Sequence, residues 1–255
     1  MNRLFPLAAV CCLALTLPTA IQAETVYEMR IYTAHEGKLN DLLTRFRDHT
    51  CKLFEKHGMT NIGYFTPTDE GNDRLIYFLS YPSRDAREAS WKAFLNDPDW
   101  KAAFAKSHEN GPLVQKVEAS FLVTTDYSPA LNLRKSHEGD ARLYELRTYT
   151  ATPGNLSNLD ARFRDHTIKL FAKHGMENVV YFHLMPDQKG AEDTLIYLIS
   201  HRDAESSKAG FKAFGQDPEW QAARKASEEN AGGPLTVKGG VQSQLMMPTN
   251  FSALQ

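Results

Sequence analysis

The chain has 255 residues, 42% of them hydrophobic, which is enough for one or two globular domains of ordinary size. Its 29 basic and 31 acidic residues give a formal net charge of −2, and they form no basic patch or long run of like charge. This charge pattern excludes nucleic acid and anionic membrane surfaces as expected partners.

Residues 1–23 have the pattern of a secretory signal peptide. Arg3 gives the positive start, Leu4 to Leu17 form the apolar run, and Ile21-Gln22-Ala23 is a cleavage site before Glu24. Since the apolar run is short for a membrane span, we expect no stable membrane span after cleavage and a secreted or periplasmic protein. Retention of the segment as an N-terminal anchor is the alternative.

The rest of the chain contains an internal duplication. The segment from Tyr27 to Phe65 recurs 117 positions later, from Tyr144 to Phe182, with 25 identities in 39 positions. Such self-similarity indicates a duplicated structural unit. We therefore divide the sequence into a first repeat at 24–125, a polar linker at 126–140 and a second repeat at 141–255.

Each repeat has a pattern typical of the order βαββαβ. The first strand alternates, the next helix carries one apolar stripe at spacings of three and four, and Asp97-Pro98 begins the last helix. In the first repeat the predicted elements are, in chain order, strand Tyr27–Thr33, helix Gly37–His57, strands Asn61–Thr66 and Leu75–Leu79, helices Arg84–Leu95 and Asp97–Lys106, and strand Leu113–Thr124.

The third strand of each repeat indicates how the repeats pack. Leu75–Leu79 and Leu195–Ile199 are apolar on both faces, and a strand without a polar face must be covered on both sides. Packing the two sheets against each other provides that cover. We therefore predict an α+β fold in which two ferredoxin-like βαββαβ repeats form an intramolecular pseudo-dimeric α/β barrel.

Several short motifs occur in both halves and resemble the NIPSNAP domain. Tyr-Glu-x-Arg-x-Tyr-Thr begins each repeat, His-Gly follows the first helix, and Asp-Pro-Asp/Glu-Trp opens the last helix. The resemblance covers about Glu24 to Thr125 and Arg142 to Phe251. It implies the dimeric α/β-barrel superfold, whose members include small-molecule monooxygenases, isomerases and haem proteins, and it implies no particular activity.

The first strand of each repeat carries the main candidate site. We expect its apolar residues, such as Ile31, to face the helices and its polar residues to face the space between the sheets. There an arginine would hold a substrate carboxylate or enolate, because buried charges need partners. The alternative is a Glu–Arg ladder that fixes the strand register. The candidates are Glu28, Arg30 and Tyr32 with their copies Glu145, Arg147 and Tyr149.

Two histidines are further candidates. His49 and His166 lie on the flank of the helix stripe, from which an imidazole can reach a cleft and transfer protons near neutral pH. The alternative is a partly exposed histidine bonded to a neighbouring group. Asp160 and His183 occur in the second half without a counterpart in the first, so we favour the second half as the site.

The sequence contains no Gly-rich phosphate loop, no His-x-x-x-His motif and no haem attachment motif, so we predict no cofactor and no metal.

We expect a protein that binds a small organic ligand between the two repeats. The alternatives are a cofactor-free enzyme of the monooxygenase or isomerase kind, and a protein-interaction module that works through its outer helices. Homo-oligomer formation stays open. A cavity beside Arg30 or Arg147 would favour a ligand or substrate, whereas a filled barrel with an apolar outer patch would favour the interaction module.

Overall fold

The computed structural model describes residues 25–133 and 142–255 of the chain. The predicted signal peptide and the later part of the predicted linker, 134–140, lie outside the described residues. Among the residues that are described, no helix is both long enough and apolar enough to cross a membrane.

Each repeat follows the predicted order of elements. The first contains β1 (Val26–Ala34), α1 (Leu39–Arg45), α2 (Cys51–Lys56), β2 (Thr60–Pro67), β3 (Arg74–Tyr81), α3 (Arg84–Asn96), α4 (Pro98–Ser107) and β4 (Val114–Thr124). The second contains β5 (Leu143–Ala151), α5 (Leu156–Arg162), α6 (Ile168–Lys173), β6 (Glu177–Leu184), β7 (Thr194–His201), α7 (Ala204–Gln216), α8 (Pro218–Asn230) and β8 (Thr236–Pro248).

The long helix predicted in each repeat is continuous but contains one π-helical turn. This turn spans Phe46–Thr50 between α1 and α2, and Phe163–Thr167 between α5 and α6. Thr50 Oγ1 donates a hydrogen bond of 3.2 Å to the carbonyl oxygen of Arg45, and the second repeat has the same bond at Thr167. A π-helical turn widens the helix by one residue and often occurs at functional sites.

The eight strands form one closed barrel in the order β1-β3-β2-β8-β5-β7-β6-β4, with antiparallel pairs throughout. Within each repeat the order is that of a ferredoxin-like sheet, with its first strand between the third and the last. The repeats join where β2 pairs with β8 and where β4 pairs with β6. The predicted pseudo-dimeric barrel is therefore confirmed.

The space between the two sheets is filled by apolar side chains from both repeats. Met29 and Phe78 pack there with Leu146 and Leu198, and the rings of Phe78 and Phe182 stack with centroids 6.2 Å apart. The expected faces of the first strand are therefore wrong, because the apolar residues point into the barrel. The expected ligand site between the repeats is wrong for the same reason. The residues that face the helices instead are Glu28, Arg30, Tyr32, Glu145, Arg147 and Tyr149.

Each repeat also packs its C-terminal tail on the other repeat. In the described part of the predicted linker, Ser128 Oγ accepts a hydrogen bond of 3.0 Å from the Tyr181 amide in β6. At the chain end, Ser252 Oγ accepts the matching bond from the Tyr64 amide in β2, also at 3.0 Å. Leu254 reaches the apolar interior of the barrel. The exchange of tails adds a second connection between the repeats.

The aspartates that begin α4 and α8 join three elements each. Asp97 accepts a hydrogen bond from the Asp99 amide at 2.8 Å, and its other oxygen lies 2.7 Å from Lys56 Nζ and 2.6 Å from His57 Nε2. Asp217 has the same partners in Lys173 and His174. The lysine and then the histidine hold the pKa of each aspartate below its usual value.

We expect the double variant Asp97→Asn, Asp217→Asn to be less stable than the wild type at pH 7 and to approach it in acid. Asparagine still caps a helix, so the change removes mainly the charge. Because the folded pKa lies below the unfolded value of about 3.9, the carboxylate contribution is present above that pH and is lost as the pH falls toward the folded pKa. Thermal unfolding from pH 7 to about pH 1.5 measures the difference, with the exposed Asp165→Asn as control. A melting-temperature gap that is equal at both ends would contradict this expectation.

Candidate functional site

The predicted cluster on β1 is a buried ion network against α3. Glu28 is 0% exposed, and its carboxylate accepts hydrogen bonds from Arg30 Nη1, from Arg87 Nη2 at 2.8 Å and from Tyr81 Oη at 2.9 Å. Burial by itself would raise the pKa of Glu28, but the bonds from Arg87 and the charge of Arg30 outweigh it and hold the pKa below its usual value. Arg30 Nη2 also donates to Tyr32 Oη at 3.3 Å, so the strand residues are joined in a ladder.

The copy on β5 keeps the ladder but changes its partners. Glu145 accepts from Arg147 Nη1 and contacts His201 Nε2 at 2.8 Å, and Arg147 Nη2 donates to Tyr149 Oη at 3.0 Å. Ser243 on β8 adds a further bond to Glu145. The two ladders lie within their own strands, on the helix side of each sheet. The structure thus brings together each predicted Glu–Arg–Tyr set, but it does not join the two sets across the barrel.

The two predicted histidines lie apart from these ladders. His49 is exposed and lines a groove of about 750 Å³ with Asp48 and Lys52. This groove is as large as the cavity described below, but it is lined mainly by charged residues of the outer helices. His166 is half-buried, and it does not line the cavity that lies beside the ladder of its own repeat. Neither histidine therefore supplies a proton-transfer group to the ladders.

The first repeat has a cavity of about 760 Å³ between its helices and the sheet. We call it the first-repeat cavity. Its volume lies within the range of about 300–1,000 Å³ that is usual for small-molecule sites. Half of the residues in its wall are aromatic or aliphatic. Its lining residues are Arg30, Tyr32, Arg45, Phe46, Thr50, Phe54, Arg87, Glu88, Trp91, Lys92, Phe94, Leu95, Asn96, Trp100, Phe104, His108, Val114, Gln115, Lys116 and Val117.

Arg45 is a buried cation in the wall of this cavity. It is only 5% exposed, and it lies beside the π-helical turn with its guanidinium over the rings of Trp100 and Phe104, 5.3 and 5.5 Å from their centroids. Its Nη1 donates to Ser107 Oγ at 3.2 Å, whereas its Nε has no hydrogen-bond partner. Within the described ranges no carboxylate lies within ion-pair distance of it, and burial lowers its pKa. An arginine nevertheless keeps its charge in a protein.

The mouth of the first-repeat cavity carries three apolar side chains among polar ones, and the exposed polar lining residues are Glu88, Lys92, Asn96, Gln115 and Lys116. Leu95, Phe104 and Val117 are 52%, 44% and 47% exposed, and all three line the cavity. Apolar side chains of this size that cluster at a concave site indicate a surface that something covers.

The matching cavity of the second repeat is much smaller, about 230 Å³. Arg162 takes the place of Arg45, with its guanidinium 5.3 Å from the Trp220 ring, but Glu228 Oε1 lies 3.6 Å from its Nη1, within ion-pair distance. Neither Nη1 nor Nε of Arg162 has a hydrogen-bond partner among the described residues. Glu228 also accepts from Arg224 Nε at 3.0 Å. This cavity therefore contains its own counter-charge.

The expectation that the second half carries the site is therefore not supported by the structure, which places the larger cavity in the first. Asp160, which suggested the second half, accepts from Tyr127 Oη at 2.6 Å and contacts His183 Nε2 at 2.9 Å. These contacts fasten the tail of the first repeat to the second.

Sequence reasoning missed the part of Arg45 in the site. Arg45 belongs to the motif Arg-Phe-Arg-Asp-His-Thr, which is identical in both repeats and so shows no difference between them. The available signal was in the last helix, where an offset of 120 aligns the repeats. There His108 stands opposite Glu228, and Phe104 stands opposite Arg224.

Among solved structures, a proposed monooxygenase from Fusobacterium nucleatum matches with a TM-score of 0.55 at 8% identity, over 89% of this chain and 94% of that one. Another from Lactobacillus acidophilus matches with a TM-score of 0.54 at 9% identity, over 90% and 98%. These similarities show the fold alone. An uncharacterised NIPSNAP-like domain protein from Burkholderia xenovorans is 19% identical over 43% of this chain and 93% of that one, with a TM-score of 0.39.

None of the curated proteins that were compared matches the chain. The NIPSNAP family model matches two segments, residues 27–129 and 144–253, which together make up most of the sequence. Each segment begins with the Glu–Arg–Tyr strand and contains one complete βαββαβ repeat. The chain therefore belongs to the NIPSNAP family and carries two copies of its domain.

Proposed function

We propose that this protein binds a small organic ligand in the first-repeat cavity. The observation that carries the proposal is the cavity itself: about 760 Å³, lined by aromatic rings, with three exposed apolar residues at its mouth. Apolar surface left in water costs about 25 cal/mol per Å², so a ligand that covers the mouth and the rings gains that free energy. The secreted or periplasmic location expected from residues 1–23 belongs to the same proposal.

A second candidate function uses the same rim. Leu95, Phe104 and Val117 would also suit a protein partner or a second copy of this chain, since an apolar rim is a usual feature of interaction sites. The half-buried rings of Trp91 and Trp100 behind the rim favour the small ligand, because a flat partner surface would leave them partly uncovered. We propose no reaction for the site.

Native mass spectrometry of the protein purified from its own host tests the proposal directly. We expect a mass above that of the polypeptide under native conditions, and release of a small molecule on unfolding. A bound molecule would also identify the chemistry of the ligand.

We expect weaker binding of an apolar probe when two residues at the mouth of the first-repeat cavity are replaced by those of the second repeat. Leu95→Gly with Phe104→Arg copies the residues at the aligned positions, Gly215 and Arg224. We expect at least about a tenfold loss of affinity for a neutral naphthalene derivative, since about 1.4 kcal/mol of lost apolar contact already has that effect. Quenching of Trp91 and Trp100, which line the cavity, measures binding in a Trp220→Phe background.

The control is Met247→Lys, which changes an exposed apolar residue of β8 outside the cavity and should leave the affinity unchanged. Equal probe affinity in the double variant and the wild type would show that the probe binds elsewhere. If the double variant instead lowers the sedimentation coefficient and no probe binds to the wild type, the rim is an interface between copies.

A further inference from the structure

We infer that the ligand of the first-repeat cavity is an organic carboxylate, and that Arg45 binds its anionic group. The inference rests on the proposed function and adds the chemical class of the ligand. The two repeats place an arginine at equivalent positions, Arg45 and Arg162, but the partners of the two arginines differ.

The arginine is constant between the repeats. Arg45 and Arg162 are 5% and 7% exposed, and each guanidinium lies 5.3 Å from the ring of the matching tryptophan, Trp100 or Trp220. Each arginine also precedes a π-helical turn of identical sequence. The fold therefore buries a guanidinium at this position in both halves, independently of what neutralises it.

The counter-charge differs. In the second repeat Glu228 supplies a carboxylate to Arg162 at 3.6 Å. In the first repeat the aligned residue is His108, whose Nδ1 lies 2.8 Å from the Phe104 carbonyl oxygen and whose ring packs on Phe104 with centroids 3.9 Å apart. A buried cation without a counter-ion is unfavourable, so an anion from outside would bind favourably there.

The other charged residues around the cavity also favour an anionic ligand. Arg30 and Arg87 both bind Glu28. Lys116 in the wall is paired with Glu118, with Nζ 2.9 Å from Oε1, whereas Lys92 has no ion-pair partner among the described residues. The acidic residue in the lining is Glu88, which accepts from Arg87. Basic groups thus outnumber acidic ones, and a cleft with this charge balance attracts anions.

The shape of the site selects a carboxylate with an apolar body. The guanidinium fork of arginine matches a carboxylate and binds it through two parallel hydrogen bonds. Beyond Arg45 the half-buried rings of Tyr32, Trp91 and Trp100 offer faces and edges to a ring or an aliphatic chain. The volume of about 760 Å³ accommodates a body of one to a few rings.

A matched pair of probes tests the inference. 2-Naphthoate and 2-naphthamide have nearly the same shape and differ in charge, and tryptophan quenching in the Trp220→Phe background measures the affinity of each. We expect the Trp220→Phe protein, whose first-repeat cavity is otherwise unchanged, to bind 2-naphthoate about 10- to 100-fold more tightly than 2-naphthamide. This is the range expected for hydrogen bonds to charged groups.

Three variants test whether Arg45 causes the preference for the carboxylate probe. His108→Glu places the carboxylate of the second repeat next to Arg45, and we expect it to reduce naphthoate affinity at least tenfold while changing naphthamide affinity less than about threefold. His108→Gln is the matched control and should keep the preference. Since His108 lies half-exposed at the end of α4, both variants should fold. Arg45→Leu should also abolish the preference, by removing the cation itself.

The outcomes separate the two proposals. If both probes bind the wild type with equal affinity, or if His108→Glu leaves the naphthoate preference intact, the carboxylate inference is overturned while the small-ligand function stands. If neither probe binds at millimolar concentration, the proposed function fails and the inference fails with it.

Discussion

Replacing Glu28 by alanine should lower the free energy of unfolding by about 3–5 kcal/mol, which is the usual loss when one partner of a buried ion pair is removed. The carboxylate is 0% exposed and binds two guanidinium groups, those of Arg30 and Arg87, together with the hydroxyl of Tyr81. Without Glu28 both arginines would remain at the helix–sheet interface with no buried counter-charge. Urea unfolding followed by circular dichroism measures the change.

The matched control is Glu88→Ala. Glu88 also accepts a hydrogen bond from Arg87, at 2.9 Å, but its side chain is largely exposed, so its removal should change stability by less than about 1 kcal/mol. Equal effects of the two substitutions would mean that the ion network contributes nothing beyond an ordinary surface pair. Glu145→Ala should cost less than Glu28→Ala, because one of its two basic partners is the imidazole of His201 rather than a second guanidinium.

The general architecture could be predicted from the sequence because two strong signals agree. The duplication gave two equal repeats, and the strand Leu75–Leu79, apolar on both faces, required cover from a second sheet. The closed barrel meets both requirements, and β3 is buried along almost its whole length. Neither signal depends on the details of side-chain contacts.

The direction of the first strand's faces could not be predicted in the same way. Alternation separates Glu28 and Arg30 from Met29 and Ile31, but it does not say which set points inward when both faces are covered. The deciding partners are Arg87 and Trp91 on α3, far along the chain. Such long-range partners cannot be read from the periodicity of one strand.

The candidate site could not be located from the sequence for a related reason. Arg45 and Arg162 belong to an identical motif, so a search for differences between the repeats passes over them. The two cavities differ in the last helix, where Glu228 stands opposite His108 and Arg224 stands opposite Phe104. Only packing of that helix on the first one shows that these positions belong to the same site.

The second repeat expressed alone, as residues 142–255, should form dimers or aggregates rather than a stable monomer. Separation exposes the apolar face that packs inside the barrel, including Leu146, Phe182 and Leu198. It also leaves two strand edges unpaired, because β8 loses β2 and β6 loses β4. Unpaired edges next to an apolar face favour association with another copy. Light scattering after size-exclusion chromatography measures the mass.

The full chain cut by a protease within 134–141 provides the control. The two fragments should stay together as a 1:1 complex, because the barrel interior, both inter-repeat strand pairs and the exchanged tails at Ser128 and Ser252 remain in place. A second repeat that stays monomeric and folded at micromolar concentration would contradict the dependence of each repeat on the other. Dimer formation by the isolated repeat would instead indicate that the two repeats of this chain pack against each other as two separate copies do in a symmetric dimer.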